Sequence, residues 1–204
     1  VQEPFDQASL VRPYLKWEWT LPSGIVVKEA LRRAHSIMQS DPQGPVYLMM
    51  QRETLTQPWS VDDVRSFDAD QHGSTAGGGA DPKLVSQLVD RLLAAKSPIL
   101  ITGYAGRSPR ASQLITELAE FAGIGVFESN MTNNISHDSP CFLGFAPDKH
   151  LPNADVGLLV DVDVPWFPSD VEANASTFWA HIDVDILKPA SPMWTFPGHL
   201  RMQG

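Results

Sequence analysis

The stretch SPILITGYAGRSPRA, residues 97–111, reads as a strand, a tight turn and the start of a helix. Ile99, Leu100 and Ile101 make a short, continuous apolar run of the kind a strand buried on both faces carries, and Gly103 closes it. Ser108 and Pro109 then open a helix, because serine suits the N-cap and proline the first turn. The helix has Leu114, Ile115, Leu118 and Ala122 as its apolar face, and Gly123 ends it.

The same alternation extends both ways. Upstream, Asp81 and Pro82 start a helix whose buried stripe is Leu84, Val85, Leu88, Leu92 and Leu93. Downstream, IGVFES (124–129), ADVGLLVDVD (154–163) and FWAHIDVD (178–185) are further strands. Strands that alternate with helices predict a parallel sheet joined by right-handed crossovers. Residues 81–204 are therefore expected to form a three-layer α/β/α, Rossmann-like domain. In such sheets ligands sit beyond the carboxyl ends of the strands.

Two acidic pairs fall at those ends, Asp161 with Asp163 and Asp183 with Asp185. If the strand runs on to Asp163, Asp161 and Asp163 share one face while Val160, Val162 and Val164 take the other. Such carboxylates could accept ribose hydroxyls, and a hard cation could use two of them. They could equally cap the turns that follow. No glycine-rich oxygen-ligand loop accompanies them, so no metal site is assigned. At the turn, Gly103 and Gly106 allow close backbone approach, the helix start offers free amides, and Arg107 and Arg110 add positive charge. That suits a phosphate. It also describes a tight turn with solvated arginines. The spacing is G-x-x-G and not G-x-G-x-x-G. NMTNN (130–134) is a polar loop well placed to touch a ligand and equally ordinary as a turn.

The first part of the chain differs. Over residues 24–40, Val26, Val27, Ala30, Leu31, Ala34, Ile37 and Met38 recur at helical spacing, with Ser23 as N-cap. DPQG breaks the chain and PVYLMM (45–50) reads as a doubly buried strand. One helix and one strand cannot enclose a core, so residues 1–53 read as the tail of a domain. Residues 54–80 are polar, lack steady periodicity and end in a glycine run, the signature of a linker.

Composition narrows the function classes. The 204 residues are 43% apolar, enough for a real core, and carry a net charge of −9, against nucleic-acid binding. The lone Cys141 allows no internal disulfide and no cysteine-rich zinc site, a pattern that suits a cytoplasmic location. No apolar run reaches the roughly 18 residues of a membrane-spanning helix. The six histidines show no HxH or HExxH spacing, and no G-x-S-x-G elbow occurs, so no catalytic residue is assigned. The chain starts at Val1 and stops at RMQG, directly after the apolar SPMWTFPGHL, and is expected to be a fragment.

Taken together, GPVYLMMQRE (44–53), LLAAKSPILITGYAGR (92–107), LPNADVGLLVDVDVPWFPS (151–169) and HIDVDILK (181–188) resemble the thiamine diphosphate-dependent enzymes related to acetolactate synthase. The first resembles the strand that closes their N-terminal pyrimidine-binding domain, with Met50 or Gln51 near the usual proline. The others resemble strands of their central domain. The resemblance implies a parent enzyme, a lyase or transferase, that breaks or forms a bond beside a 2-oxo acid carbonyl. Its thiamine diphosphate and Mg2+ would be held by an N-terminal glutamate region and a C-terminal GDG…N motif, and this chain contains neither. The implied partners are those two domains and further copies in a homodimer or homotetramer, with no nucleic acid and no membrane. The family's central domain holds FAD in some members, ADP in others and nothing in the rest. A nucleotide here would lie against Gly103, Gly106, Arg107, Asp161, Asp163, Asp183 and Asp185. The alternative is a free-standing nucleotide-binding or subunit-interaction module without catalysis.

Overall fold

The computed structural model describes residues 5–64, 77–129, 132–191 and 194–204. Parts of the 54–80 linker expectation and of the 130–134 loop expectation lie outside the described residues. The chain divides into two compact units, Val1–Gly77 and Gly78–Gly204.

The first unit is built on one parallel strand pair. Strand β1 (Trp17–Leu21) lies beside β2 (Val46–Met50), in register from Trp17 with Val46 to Leu21 with Met50. The crossover between them is a 3-10 turn, Gly24–Val26, leading into helix α1 (Val27–Gln39). Ser23 caps this turn by accepting the Ile25 amide, as its position in the sequence predicts. β2 is half-buried along its whole length rather than doubly buried, because β1 is its single described partner strand. The short helix α2 (Arg52–Thr56) and a 3-10 turn, Val61–Asp63, follow within and beside the stretch read as linker.

The second unit is a six-stranded, all-parallel sheet. Helix α3 (Pro82–Ala94) leads into β3 (Pro98–Thr102), and α4 (Pro109–Ala122) crosses to β4 (Gly125–Glu128). Then come β5 (Phe142–Gly144), β6 (Val156–Val160), β7 (Phe178–Asp183) and β8 (Leu200–Gln203). The spatial order is β5-β4-β3-β6-β7-β8, so the winding reverses between β3 and β6. The predicted caps are in place: Asp81 accepts the Lys83 amide at 2.8 Å, Ser108 accepts the Ala111 amide, and Gly123 ends α4 at φ 65°. The edge strands β5 and β8, of three and four residues, are too short to carry a clear alternation and escape a sequence reading.

Both long helices pack on one face of the sheet, where Leu88, Ile115 and Ala119 meet Leu100, Val126, Leu158 and Met202. The opposite layer is made of the 3-10 turn Leu151–Asn153 and an aromatic loop, with Leu151, Trp166 and Phe196 over Ile101, Phe127 and Trp179. The helices bury narrower stripes than their sequences suggest. Val85, Leu93, Leu114 and Leu118 are exposed, because a single sheet face covers only the rows containing Leu88 and Ile115–Ala119.

One expectation about strand length is corrected. β6 stops at Val160, and Asp161 turns into the left-handed region at φ 46°. Asp161 and Asp163 therefore do not alternate along a strand. Aspartate tolerates this conformation better than most residues, and the turn aims the Asp161 carbonyl back at β3.

Candidate functional site at the strand ends

The reversal between β3 and β6 puts the ends of both strands side by side, with Thr102 paired to Val160. Here the Asp161 carbonyl accepts the amides of Gly103 at 3.2 Å and Tyr104 at 2.8 Å, while the Asp161 amide donates to the Ile182 carbonyl. The Arg107 guanidinium donates to the Asp161 carboxylate at 2.5 Å. Burial pushes the Asp161 carboxyl above its ordinary range, and the Arg107 charge only partly offsets this.

Gly106 has a different neighbour. Its amide donates to Asn134 Oδ1 at 2.9 Å, and a Cβ on Gly106 would stand 1.9 Å from the Asn133 carbonyl oxygen. The glycine is required by backbone approach, since no side chain fits. The loop it meets is anchored from below by Glu128, fully buried at the end of β4. Its carboxylate accepts the amides of Asn134 and Ile135 and lies 2.9 Å from His137 Nε2. Thr132 Oγ1 donates to the Gly103 carbonyl. Gly106→Ala is expected to cost about 1–3 kcal/mol by overpacking, measured as a lower urea midpoint at unchanged m-value; full stability would disprove the close approach.

The second acidic pair is organised by Lys188, a residue that one-dimensional reading passes over. Its ammonium is 7% exposed and bridges Asp183 Oδ2 at 2.8 Å and Asp163 Oδ1 at 2.9 Å. Asp183 is fully buried, and His181 Nε2 lies 3.3 Å from the same oxygen. Trp194 stacks on His181 and its indole N–H donates to the Asp163 carbonyl. Burial alone would raise the Asp183 carboxyl, but hydrogen bonds from His181, Lys188 and the Asp185 amide outweigh it and hold the group below the ordinary carboxylate range. Burial would likewise lower Lys188, yet its two carboxylate partners keep it above the ordinary lysine value. Asp185 accepts the Lys188 amide at 3.2 Å and so caps the turn after β7. Lys188 itself adopts φ 48°, held there by both ends of its own residue.

All seven residues named from the sequence thus lie along the carboxyl edge of the sheet, but in separate contacts. Gly103, Arg107 and Asp161 join β3 to β6; Gly106 joins the 132–134 loop; Asp163, Asp183 and Asp185 gather on Lys188. A cleft of about 460 Å³ opens beside the first two groups, lined by Tyr104, Gly106, Arg107, Thr132, Asn133 and Asn134. The amides of Gly103, Tyr104, Gly106, Arg107 and Ser108 that a diphosphate would need are each taken by a protein oxygen. This edge therefore fits a nucleotide diphosphate poorly as it stands. Among the described residues no group of three or more His, Cys, Asp or Glu side chains is set to hold a metal ion. Nor is any described helix long and apolar enough to cross a membrane.

No protein-family profile matches the chain. Solved structures do. A protein from Mycobacterium smegmatis described as a thiamin diphosphate-dependent enzyme superposes with a TM-score of 0.73 at 21% identity, covering 98% of this chain and 39% of its own. Benzoylformate decarboxylase from Polynucleobacter necessarius gives 0.72 at 21%, over 98% and 39%. The thiamine diphosphate-dependent 4-hydroxybenzoylformate decarboxylase of Rhodococcus jostii gives 0.70 at 21%, over 91% and 37%. The chain spans about two-fifths of the length of each. Its parallel α/β fold is the fold of that part of thiamin diphosphate-dependent enzymes.

Proposed function

We propose that this chain is the central segment of a longer thiamine diphosphate-dependent enzyme, a lyase or transferase that acts on a 2-oxo acid, and that its role there is to hold the flanking domains in place. Its partners would be those domains of the same enzyme, which supply the glutamate and the Mg2+–diphosphate site. The cofactor carries the bond-breaking chemistry, and the protein contributes position and electrostatics.

One observation carries the scaffold reading. The strand ends that could hold FAD or ADP are closed by the chain's own groups, the Asp161 carbonyl on the Gly103 and Tyr104 amides and Lys188 on Asp163 and Asp183. A ligand entering there would have to replace hydrogen bonds and a buried ion pair already made, and would gain only the difference.

Calorimetric titration with ADP and with FAD tests this reading. No binding tighter than about 100 μM is expected; micromolar affinity, about −8 kcal/mol, would overturn the scaffold role in favour of nucleotide holding. The family reading has a separate test. The natural gene product read through both ends of this segment should decarboxylate benzoylformate-type substrates with thiamine diphosphate and Mg2+, and residues 1–204 alone should not. Turnover by the 204-residue chain would refute the assignment.

A further inference from the structure

At the amino end of the six-stranded sheet, opposite to the strand ends described above, lies a cavity of about 310 Å³. Thr177 directly precedes β7 and His199 directly precedes β8, and both border it, which places it at that edge of the parallel sheet. Trp166, Val171, Trp179 and Phe196 make its apolar lining, and exposed Glu172 and His199 also border it. Trp166 lies against Trp179 with ring centroids 4.9 Å apart and planes tilted by 34°, and Phe196 meets Trp166 edge-on at 4.9 Å. A space of this size is at the lower end of ligand cavities, with room for one ring and a short substituent.

The polar groups around it divide into engaged and idle ones. Thr177 Oγ1 donates to the Ala154 carbonyl at 2.7 Å. Asn174 accepts the Ser176 amide and hydroxyl and donates to the Pro152 carbonyl. The indole N–H of Trp179 is idle, with no acceptor among the described residues. Trp179 is 1% exposed, and its benzo edge lies over Gly157. Its nitrogen is nonetheless not among the sealed side-chain atoms, so the small open part of the ring includes the N–H, and the cavity is the space it opens onto. A buried indole N–H ordinarily has a partner. His199 supplies a second idle donor. Its Nδ1 accepts the Trp179 backbone amide at 3.1 Å, which leaves the ring proton on Nε2, again without an acceptor among the described residues.

Charge narrows the ligand further. Among the described residues no lysine or arginine borders the cavity, and Glu172 is its one carboxylate. An anion would be buried there without a counter-charge, at a high cost in lost hydration. A cation would leave both idle N–H groups unmet. We propose that this cavity binds a small, uncharged aromatic molecule, an aryl ketone or aryl amide, whose carbonyl oxygen accepts the Trp179 indole N–H while its ring lies beside Trp166 and Phe196. The inference is independent of the thiamine reading, since it uses neither the carboxyl edge of the sheet nor the flanking domains.

Titration of acetophenone into the isotope-labelled 204-residue chain, followed at the Trp179 indole N–H resonance, tests it. The resonance should move and saturate with a dissociation constant of about 1 mM or tighter. Ethylbenzene has a similar shape but no oxygen, and should bind at least about 10-fold more weakly, the worth of one hydrogen bond. Benzoate and benzylammonium should also bind at least about 10-fold more weakly, for want of a counter-charge or of an acceptor. Ala175→Trp, at an exposed residue bordering the cavity, fills the space and should abolish the response. An indole resonance unmoved by about 10 mM acetophenone would mean that water alone meets the N–H, and would overturn the proposal. So would ethylbenzene, benzoate or benzylammonium binding as well as acetophenone, or a response that survives Ala175→Trp.

Discussion

Lys188→Met is expected to destabilise the Gly78–Gly204 unit by about 3–5 kcal/mol, the cost of leaving a buried charge without its partner. The methionine fills much of the same volume, so packing is largely kept. Asp183, fully buried, loses the ammonium 2.8 Å away and retains only His181 and the Asp185 amide. Asp163 is half exposed and can turn to water, so its loss is small. Pairing the change with Asp183→Leu should recover most of the deficit, because an apolar pair of similar volume carries no uncompensated charge. A single variant as stable as the wild type in urea denaturation would show that the ion pair is not what holds the strand ends together.

The same contact sets a pH window. The Asp183 carboxyl lies below its ordinary range, so its contribution is complete above the unfolded value of about 3.9 and fades as the pH falls through the folded one. Lys188 lies above its ordinary range, so its contribution is complete below about 10.4 and fades as the pH rises through the folded value. The gap between wild type and Lys188→Met should therefore be widest from about pH 4 to 10. It should narrow in acid, where Asp183 takes a proton, and in strong alkali, where Lys188 loses one. Asp161 has the opposite sign. Its raised carboxyl favours the protonated fold, so the stability it contributes is present below its unfolded value and is lost as the pH rises.

On the other face of the sheet, Trp179→Ala should cost about 3–5 kcal/mol, in the range for removing a large buried aromatic side chain. Trp179 is 1% exposed, packs at a tilt against Trp166 with ring centroids 4.9 Å apart, and pairs across the sheet with Gly157. A Cβ on Gly157 would come within 2.2 Å of the indole, so the ring lies over the glycine and covers the gap in β6. Gly157→Ala alone should overpack the site, by about 1–3 kcal/mol. In the Trp179→Ala background the added methyl enters vacated space, so the double variant should be no less stable than Trp179→Ala. Additive losses in denaturant melts would show that the two residues are not coupled through this contact.

The parallel α/β class and the four inner strands were legible because their signals are local. Ser108-Pro109 and Asp81-Pro82 start helices by hydrogen-bond chemistry within one turn, and runs such as Ile99–Ile101 identify themselves as buried by composition alone. β5 and β8 were not legible, because three or four residues at a sheet edge carry no period. The helix faces were misjudged for a related reason. Periodicity marks every apolar row, but only the sheet decides which row it covers, and Leu93 and Leu114 fall outside.

The acidic strand ends divide in the same way. Sequence by itself determined that Asp161, Asp163, Asp183 and Asp185 would stand at the carboxyl edge of a parallel sheet, because strand direction and chain order follow from the alternation of elements. What those carboxylates do was decided by tertiary structure alone. Lys188 lies 25 residues from Asp163, and Gly103 lies 58 before Asp161 in no pattern that links them; the pairing of β6 with β7 brings the first two together, and the reversal of winding between β3 and β6 the second two. A charge is neutralised by whatever the fold sets within about 3 Å of it, and that distance is not written in the order of the residues.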